Sequence, residues 1–368
     1  MHGIKTLAVA IALAAALLVL AAPAMASSGG AVYTLTNSAS GNAVAVFDRA
    51  ADGSLTSDGT VPTGGLGTGA GLGSQGAIVL EGRRLFAVNA GDDTVSMLHV
   101  GRRGKVSLVD VAPAGGATPI SVTVHRKLVY VVNVGDASTP ANISGFRVLG
   151  GQLVPLPGSS RPLSSAAPDP AQIEFSPNGR QLVVTEKATN LIVTYAIGAG
   201  GLAGPPNAQP SAGQTPFGFA FAMRSRLIVS EAFGGAPDAS VLSSYSLAPN
   251  GTITPVTPNV ATTETAACWV VVTRNGRFTY TTNTGSNSIS GFRIGNDGGL
   301  TLLNADGVTA ATGAGPLDLA LARNSRFLYS LNSGVPEIEA FAVNGDGSLD
   351  VLGAIGGLPA GSVGLAAS

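Results

Sequence analysis

AACWVVVTRNGRFTYTTNTGSNSISGFRIGNDGGLTLL, residues Ala266 to Leu303, holds one structural unit written in four pieces. An apolar, β-branched run from Ala267 to Thr273 is followed by Arg274-Asn275-Gly276-Arg277, whose Asn-Gly pair suits the positive φ angles of a tight hairpin turn. A second run, Phe278 to Asn283, returns. After Thr284-Gly285-Ser286-Asn287 a third run goes out from Ser288 to Ile294, and Asn296-Asp297-Gly298-Gly299 turns it into a short fourth run from Leu300. The reading is a four-stranded antiparallel meander.

The unit recurs along the chain. Its second strand reads VYTLTN ending at Asn37, LFAVNAG at Gly91, LVYVVNVG at Gly135, LVVTEKA at Ala188, LIVSEAFG at Gly234, FTYTTNTG at Gly285 and FLYSLNSG at Gly334. The third strand keeps phase, and so does the turn after it, from DGSL at Asp52 to DGSL at Asp346. Copies lie about 45 to 53 residues apart, the size of a propeller blade. Only six first strands precede a second strand; the seventh reappears at the end as PAGSVGLAAS from Pro359, which lets the C-terminus complete the first blade and close a ring. The predicted fold is therefore all-β, a seven-bladed β-propeller of four-stranded antiparallel blades spanning residues 27–368 as one domain.

Ahead of the repeats, Lys5, an unbroken apolar stretch from Leu7 to Ala22, and Ala24-Met25-Ala26 read as a secretory signal peptide over residues 1–26. The expected location is secreted or in the cell envelope, with no membrane span after cleavage. Charged residues are 11% of the chain, which suits blades packed on both faces, and the net charge of −1 is scattered singly. No basic stripe for nucleic acid and no polybasic patch for a membrane surface is present. The expected partner is a small-molecule ligand or an extracellular protein, and the expected state a monomer.

The single cysteine, Cys268, has no mate for a disulfide and reads as a buried, inert thiol beside Trp269. His125 shares the turn between first and second strands with Arg126 and Lys127; the same turn carries Arg83, Arg84, Arg180, Arg226, Arg277 and Arg326 in other blades. These bases belong on one face of the disc, as solvated turn residues or as an anion-binding face. The run Gly64-Gly65-Leu66-Gly67-Thr68-Gly69-Ala70-Gly71 lacks a following Lys-Ser/Thr and a helix, so it reads as a connector and not a phosphate loop. Asp48, Asp52, Asp92 and Asp93 do not have calcium-loop spacing and read as turn formers.

The hairpin formed by first and second strands brings the start of one beside the end of the other, at one mouth of the channel. The second-strand ends then form a ring of seven matched positions, Asn37, Asn89, Asn133, Glu186, Glu231, Asn283 and Asn332. Asn here caps the loop backbone; the two glutamates are the candidates for acid–base work or for sharing a cation.

Second strands ending in Asn, third strands ending in Phe/Tyr-Arg, and Asp-Gly-Ser-Leu turns together resemble the seven-bladed lactonase family of propellers, which includes 6-phosphogluconolactonase and carboxymuconate cyclase. FSPNGRQLVVTE, Phe175 to Glu186, is similar to that family's FSPDGRYLFVAD, and Ser230-Glu231-Ala232-Phe233 matches its Asn-Glu element. The resemblance implies a site with a His at a first-strand start, an Arg or Arg-His pair in the next blade, and the Glu, here Glu231. Ala171 stands in the place of the His, and Phe217-Gly218 in that of the Arg-His pair. Arg161 in the connector before Pro168, or Lys187 beside Glu186, is the candidate substitute cation, and Phe217 and the ring amides are candidate ligand contacts.

Two readings follow. One is an exported lactonase-like enzyme opening or closing a small lactone ring, with Glu231, Glu186 and Arg161 as its chemical groups. The other is a non-catalytic secreted propeller that binds a ligand or protein after losing the family's His and Arg. No cofactor is expected; a calcium ion on Glu186, Glu231 and the ring amides is the minor alternative.

Overall fold

A computed structural model of the protein describes residues 29–368, so the signal peptide expected over residues 1–26 lies outside the described residues. Seven antiparallel sheets of four strands are arranged as a propeller, and no α-helix occurs among the described residues. The fourth blade shows the pattern from channel to rim: Pro170–Phe175, Gln181–Glu186, Leu191–Ala196 and Asn207–Pro210. The third and sixth sheets carry an extra short piece, Arg161–Pro162 and Ala310–Ala311, hydrogen-bonded to the third strand.

The ring closes as expected. Val363–Ala367 supplies the innermost strand of the first blade by pairing with Gly30–Leu35, in the register Val32↔Ala367 to Leu35↔Val363. Ser368 extends the seam: its N–H donates to the Ala31 carbonyl at 2.9 Å, and its hydroxyl accepts from the Ala31 N–H at 2.7 Å. Arg49, buried in the same blade, donates to the Ser368 carbonyl at 3.1 Å and lies 5.4 Å over the Phe327 ring of the seventh blade.

Second strands are rich in Val, Tyr, Phe and Thr because each packs against a neighbouring blade on both faces. All six tyrosines are fully buried. Three of their hydroxyls explain why the turn after the third strand repeats. Tyr130 donates to the Gly201 carbonyl at 2.8 Å, Tyr280 to Gly347 at 2.8 Å and Tyr329 to Gly53 at 3.0 Å, each reaching the turn of the next blade. Glycine is required there: Gly53 has φ +94°, and a Cβ on it would lie 2.4 Å from the Phe327 ring. Burying one such aromatic ring contributes about 1.5–3 kcal/mol, so these latches sit on the main source of blade-to-blade stability.

One local expectation differs. In the Arg274–Arg277 turn only Gly276 takes positive φ, +66°. Asn275 instead accepts the Thr273 hydroxyl at 2.8 Å and the Arg277 N–H at 3.0 Å through its side-chain carbonyl. The loop is one residue pair longer than a two-residue hairpin, and the amide holds it together as an Asx turn does.

Candidate functional site

The register confirms that first-strand starts lie beside second-strand ends: Pro119↔Asn133, Pro170↔Glu186, Pro216↔Glu231, Ala267↔Asn283 and Pro316↔Asn332. The side chains, however, are not presented to the mouth. Each is buried one layer below the surface, directed at the third strand or at the connector arriving from the previous blade, except Asn37, which is directed at the connector leaving its own blade. Asn89 donates to Thr94 Oγ1 at 2.9 Å and Ser96 Oγ at 2.7 Å, and accepts from Asn42 at 3.0 Å and Thr63 at 2.7 Å. Asn37 donates to the Ala70 carbonyl at 2.6 Å, Asn133 to Asn142 Oδ1 at 2.9 Å, Asn283 to Ser288 and Ser290 at 2.9 and 2.8 Å, and Asn332 to Glu337 and Glu339 at 3.2 and 3.3 Å. The connector glycines fit over these heads: a Cβ on Gly65, Gly116, Gly213 or Gly313 would come within 3 Å of Asn89, Asn133, Glu231 or Asn332 respectively.

Why two blades use glutamate follows from the partners. Glu231 Oε1 accepts from Ser211 Oγ at 2.6 Å, the Gly213 N–H at 3.0 Å and Tyr245 Oη at 2.7 Å, while Oε2 accepts from Ser243 Oγ at 2.5 Å. Glu186 accepts from the Ser164 N–H at 3.0 Å, the Ser164 hydroxyl, and Thr189 Oγ1 at 2.7 Å. Every neighbour donates, and a carboxylate accepts only; an amide suits the blades where a carbonyl, a carboxylate or a hydroxyl already donating elsewhere also has to be met. N–H and O–H donors around both glutamates also leave no oxygen cage for calcium, and no group of three or more His, Cys, Asp or Glu is placed to hold a metal among the described residues.

Arg161 is not at the mouth. It lies in the short outer piece of the third blade, pairing with Ile143, and its guanidinium donates to the carbonyls of Gly204 at 3.2 Å, Gly158 at 2.8 Å and Ser160 at 2.6 Å. The connector runs along the blade's rim before it turns inward, which carries Arg161 away from the axis.

Lys187 and Phe217 do lie at the loop face, in a closed cluster. Phe217 and Trp269 meet at a centroid distance of 4.9 Å and are 7% and 4% exposed, over fully buried Ala171. Trp269 Nε1–H donates to the Ser74 carbonyl at 2.9 Å. Lys187 Nζ sits 5.1 Å over the Phe217 ring, 3.1 Å from Asp169 Oδ1 and 2.7 Å from the Gly73 carbonyl, which it donates to. The glycine-rich connector thus runs over the aromatic pair. Cys268 is buried there too, and burial pushes its thiol up to about 12. Space beside Trp269 amounts to about 20 Å³, enough for one water.

Below this cluster Gln75 spans the channel. Its side chain donates to the Val270 carbonyl at 2.8 Å and accepts the Val270 N–H at 3.0 Å, joining the second blade to the sixth. Gln172 does the same to Phe219 of the neighbouring blade, at 3.0 and 2.7 Å. Beneath these amides the channel opens toward the hairpin face as a cavity of about 430 Å³ lined by inner strands of five blades. Glu174 and Asp318 line it, and burial pushes both carboxyls up to about 8. Glu174 keeps some surface open to the cavity, while protein surrounds it on the other sides.

Neither group was singled out from sequence. The signal was there: Glu174 in PAQIEF and Asp318 in PLDLAL are carboxylates inside innermost strands that are otherwise uncharged.

Residues 240–359 match the family described as Lactonase, 7-bladed beta-propeller, and the resemblance read from the repeats stands. The fold is shared with a 6-phosphogluconolactonase assigned as putative from Bacteroides fragilis, at a TM-score of 0.71 and 16% identity over 94% of this chain and 100% of that one. A second such protein, from Bacteroides uniformis, gives 0.72 and 18% over 91% and 98%. The periplasmic gluconolactonase of Pseudomonas aeruginosa gives 0.66 and 16% over 90% and 98%. No curated protein matches the chain.

Proposed function

We propose that the protein is an exported propeller of the lactonase type that binds ligand without opening a lactone, its loop face no longer organised for that reaction. The observation that carries this is the aromatic closure of Phe217, which stands where the resemblance puts the cationic group, by Trp269 of the next blade. Lactone opening needs a base free to activate water and a cation or N–H pair for the developing oxyanion. Glu231 has four donors on its two oxygens, and Lys187 is committed to Asp169 and Gly73 under the connector. Export is supported by the apolar start with its small-residue cleavage site, and by the periplasmic setting of the Pseudomonas aeruginosa relative.

The test is pH-stat hydrolysis of glucono-δ-lactone and 6-phosphogluconolactone with purified residues 27–368, measured against the spontaneous rate. No acceleration is expected. Trp269, the one tryptophan in the chain, reports on the closure directly: its emission should be blue-shifted, resistant to acrylamide and unchanged by either lactone. Saturable turnover that is lost in Glu231→Gln would overturn the reading.

A further inference from the structure

Arginines and lysines that stand singly along the chain are gathered by the ring onto one face. In blades two to seven the turn between first and second strands, with its edges, carries Arg84, Arg126 with Lys127, Arg180, Arg224, Arg274 and Arg323, all exposed. None of these side chains has a hydrogen bond, an ion pair or an aromatic ring as partner among the described residues; the ion pair found there, Lys187–Asp169, is at the loop face. Acids gather at that other face. The turns between second and third strands hold Asp92, Asp93, Asp136 and Asp238, and Lys187 is their one base. On the hairpin side Asp52, Asp297 and Asp346 belong to blades one, six and seven, where each accepts an N–H of its own turn. Blades three to five have no acid in either hairpin-side turn. Solvation of turns is indifferent to the sign of the charge, so it does not account for this separation. Two apolar side chains stand among the bases: Met223, 65% exposed and the most exposed of the large apolar residues described, next to Arg224, and Leu149, 48% exposed, at the end of the third strand of blade three.

We propose that the hairpin face docks on an anionic lipid surface, with the turns of blades three to six against the headgroups and Met223 and Leu149 in the boundary below them. The bases stand on a circle round the channel. A single strand of a soluble polyanion meets only neighbours on that circle, whereas a plane of headgroups meets them together. The apolar side chains favour the same partner, since a lipid interface takes Met and Leu out of water and a hydrated polymer does not. Each base brought to an anionic leaflet raises affinity about fivefold. The acids of the opposite face are repelled by the same surface, so the disc lies in one orientation and leaves its loop face to the medium. The docking surface stands whether or not the loop face turns over a lactone.

Flotation of purified residues 27–368 with vesicles of phosphatidylcholine alone, or of about three parts phosphatidylcholine to one of phosphatidylglycerol, reads the docking directly. The expected result is binding to the anionic vesicles only, weakened about tenfold or more between about 0.1 M and 1 M salt, as the screening length falls from about 10 Å to about 3 Å. Arg126→Asn with Arg224→Asn removes two bases at φ +61° and +59°, a conformation asparagine tolerates, and should weaken binding about 25-fold. Ala39→Asp with Ser40→Asp shifts the net charge equally at exposed loop-face positions and should leave binding unchanged. Met223→Ser should weaken vesicle binding and keep its salt dependence. Emission of the buried Trp269 checks that each variant is folded. Dextran sulfate in solution tests the rival partner: a protein that binds it and not the anionic vesicles has a polymer site, and the proposal fails. Equal binding to both kinds of vesicle, binding to neither, binding unaltered in either folded hairpin-face variant, or an equal loss in the loop-face pair also overturns it.

Discussion

Glu231→Ala separates a structural from a chemical role for the glutamate that both the repeat and the family resemblance point to. The substitution removes an acceptor that serves four donors at 2.5 to 3.0 Å, at a position with no exposed surface. The hydroxyls of Ser211 and Ser243 can rotate toward other acceptors. The Gly213 N–H is fixed by the backbone and is left unsatisfied in a buried place, and the Tyr245 hydroxyl keeps only the Ser211 hydroxyl, at 3.3 Å, as an acceptor for its proton. At about 1–3 kcal/mol for each orphaned group, the variant loses about 2–6 kcal/mol. Glu231→Gln keeps the Oε1 acceptor and three of the four bonds, so it costs about 1.5–3 kcal/mol, the loss of one hydrogen bond to a charged group. Urea unfolding followed by the buried Trp269 fluorescence measures both. A Glu231→Ala protein with wild-type stability would refute the account, since four buried donors cannot be abandoned without cost.

Truncation after Ala360 removes the strand Val363–Ala367, leaving Gly30–Leu35 as an open edge at the channel; light scattering and thermal melting should show aggregation and a lower midpoint, and an unchanged melt would contradict the closure. Asp318 and Glu174 have folded pKa values near 8, above their unfolded values of 3.8 and 4.5, so the folded state holds the extra protons and stability falls as pH rises from about 4 through 8. The urea midpoint should therefore drop between pH 5 and pH 9, and Asp318→Asn should flatten that slope; a slope unchanged in the variant assigns it elsewhere. Cys268, 7% exposed and pushed up to about 12, should react with a disulfide reagent only at the rate of unfolding, which native-state labelling against urea will show.

Strand phase, blade number and ring closure were legible because they rest on continuous apolar, β-branched second strands and on turn glycines, which are local in the chain. The terminal strand was found by counting: six first strands for seven second strands. Side-chain direction was not legible. The ring from Asn37 to Asn332 was placed correctly on the backbone, yet its heads turn inward because connector glycines such as Gly65 and Gly213 leave room for them, a contact between neighbouring blades. Arg161 illustrates the same limit, since sequence order gives a connector's ends and not the path it takes along the rim. Phe217 and Trp269 belong to different blades, and their meeting at the axis depends on ring geometry that no window of sequence contains. Glu174 and Asp318 went unread in the sequence, although both are carboxylates in strands that the repeat count makes innermost.

Gln75 reaches a residue 195 positions away in the chain, and it does so across the axis and not along the ring. A spoke of that kind sets the bore. Blades two and six cannot drift apart without breaking a pair of hydrogen bonds, so the disc resists widening in a way that rim contacts alone would not provide. Its timing in assembly follows from the same geometry: both partners reach their places only after the intervening blades have docked, which makes the spoke one of the last contacts to form. The cavity on the hairpin face is consequently a well whose floor is braced by Gln75.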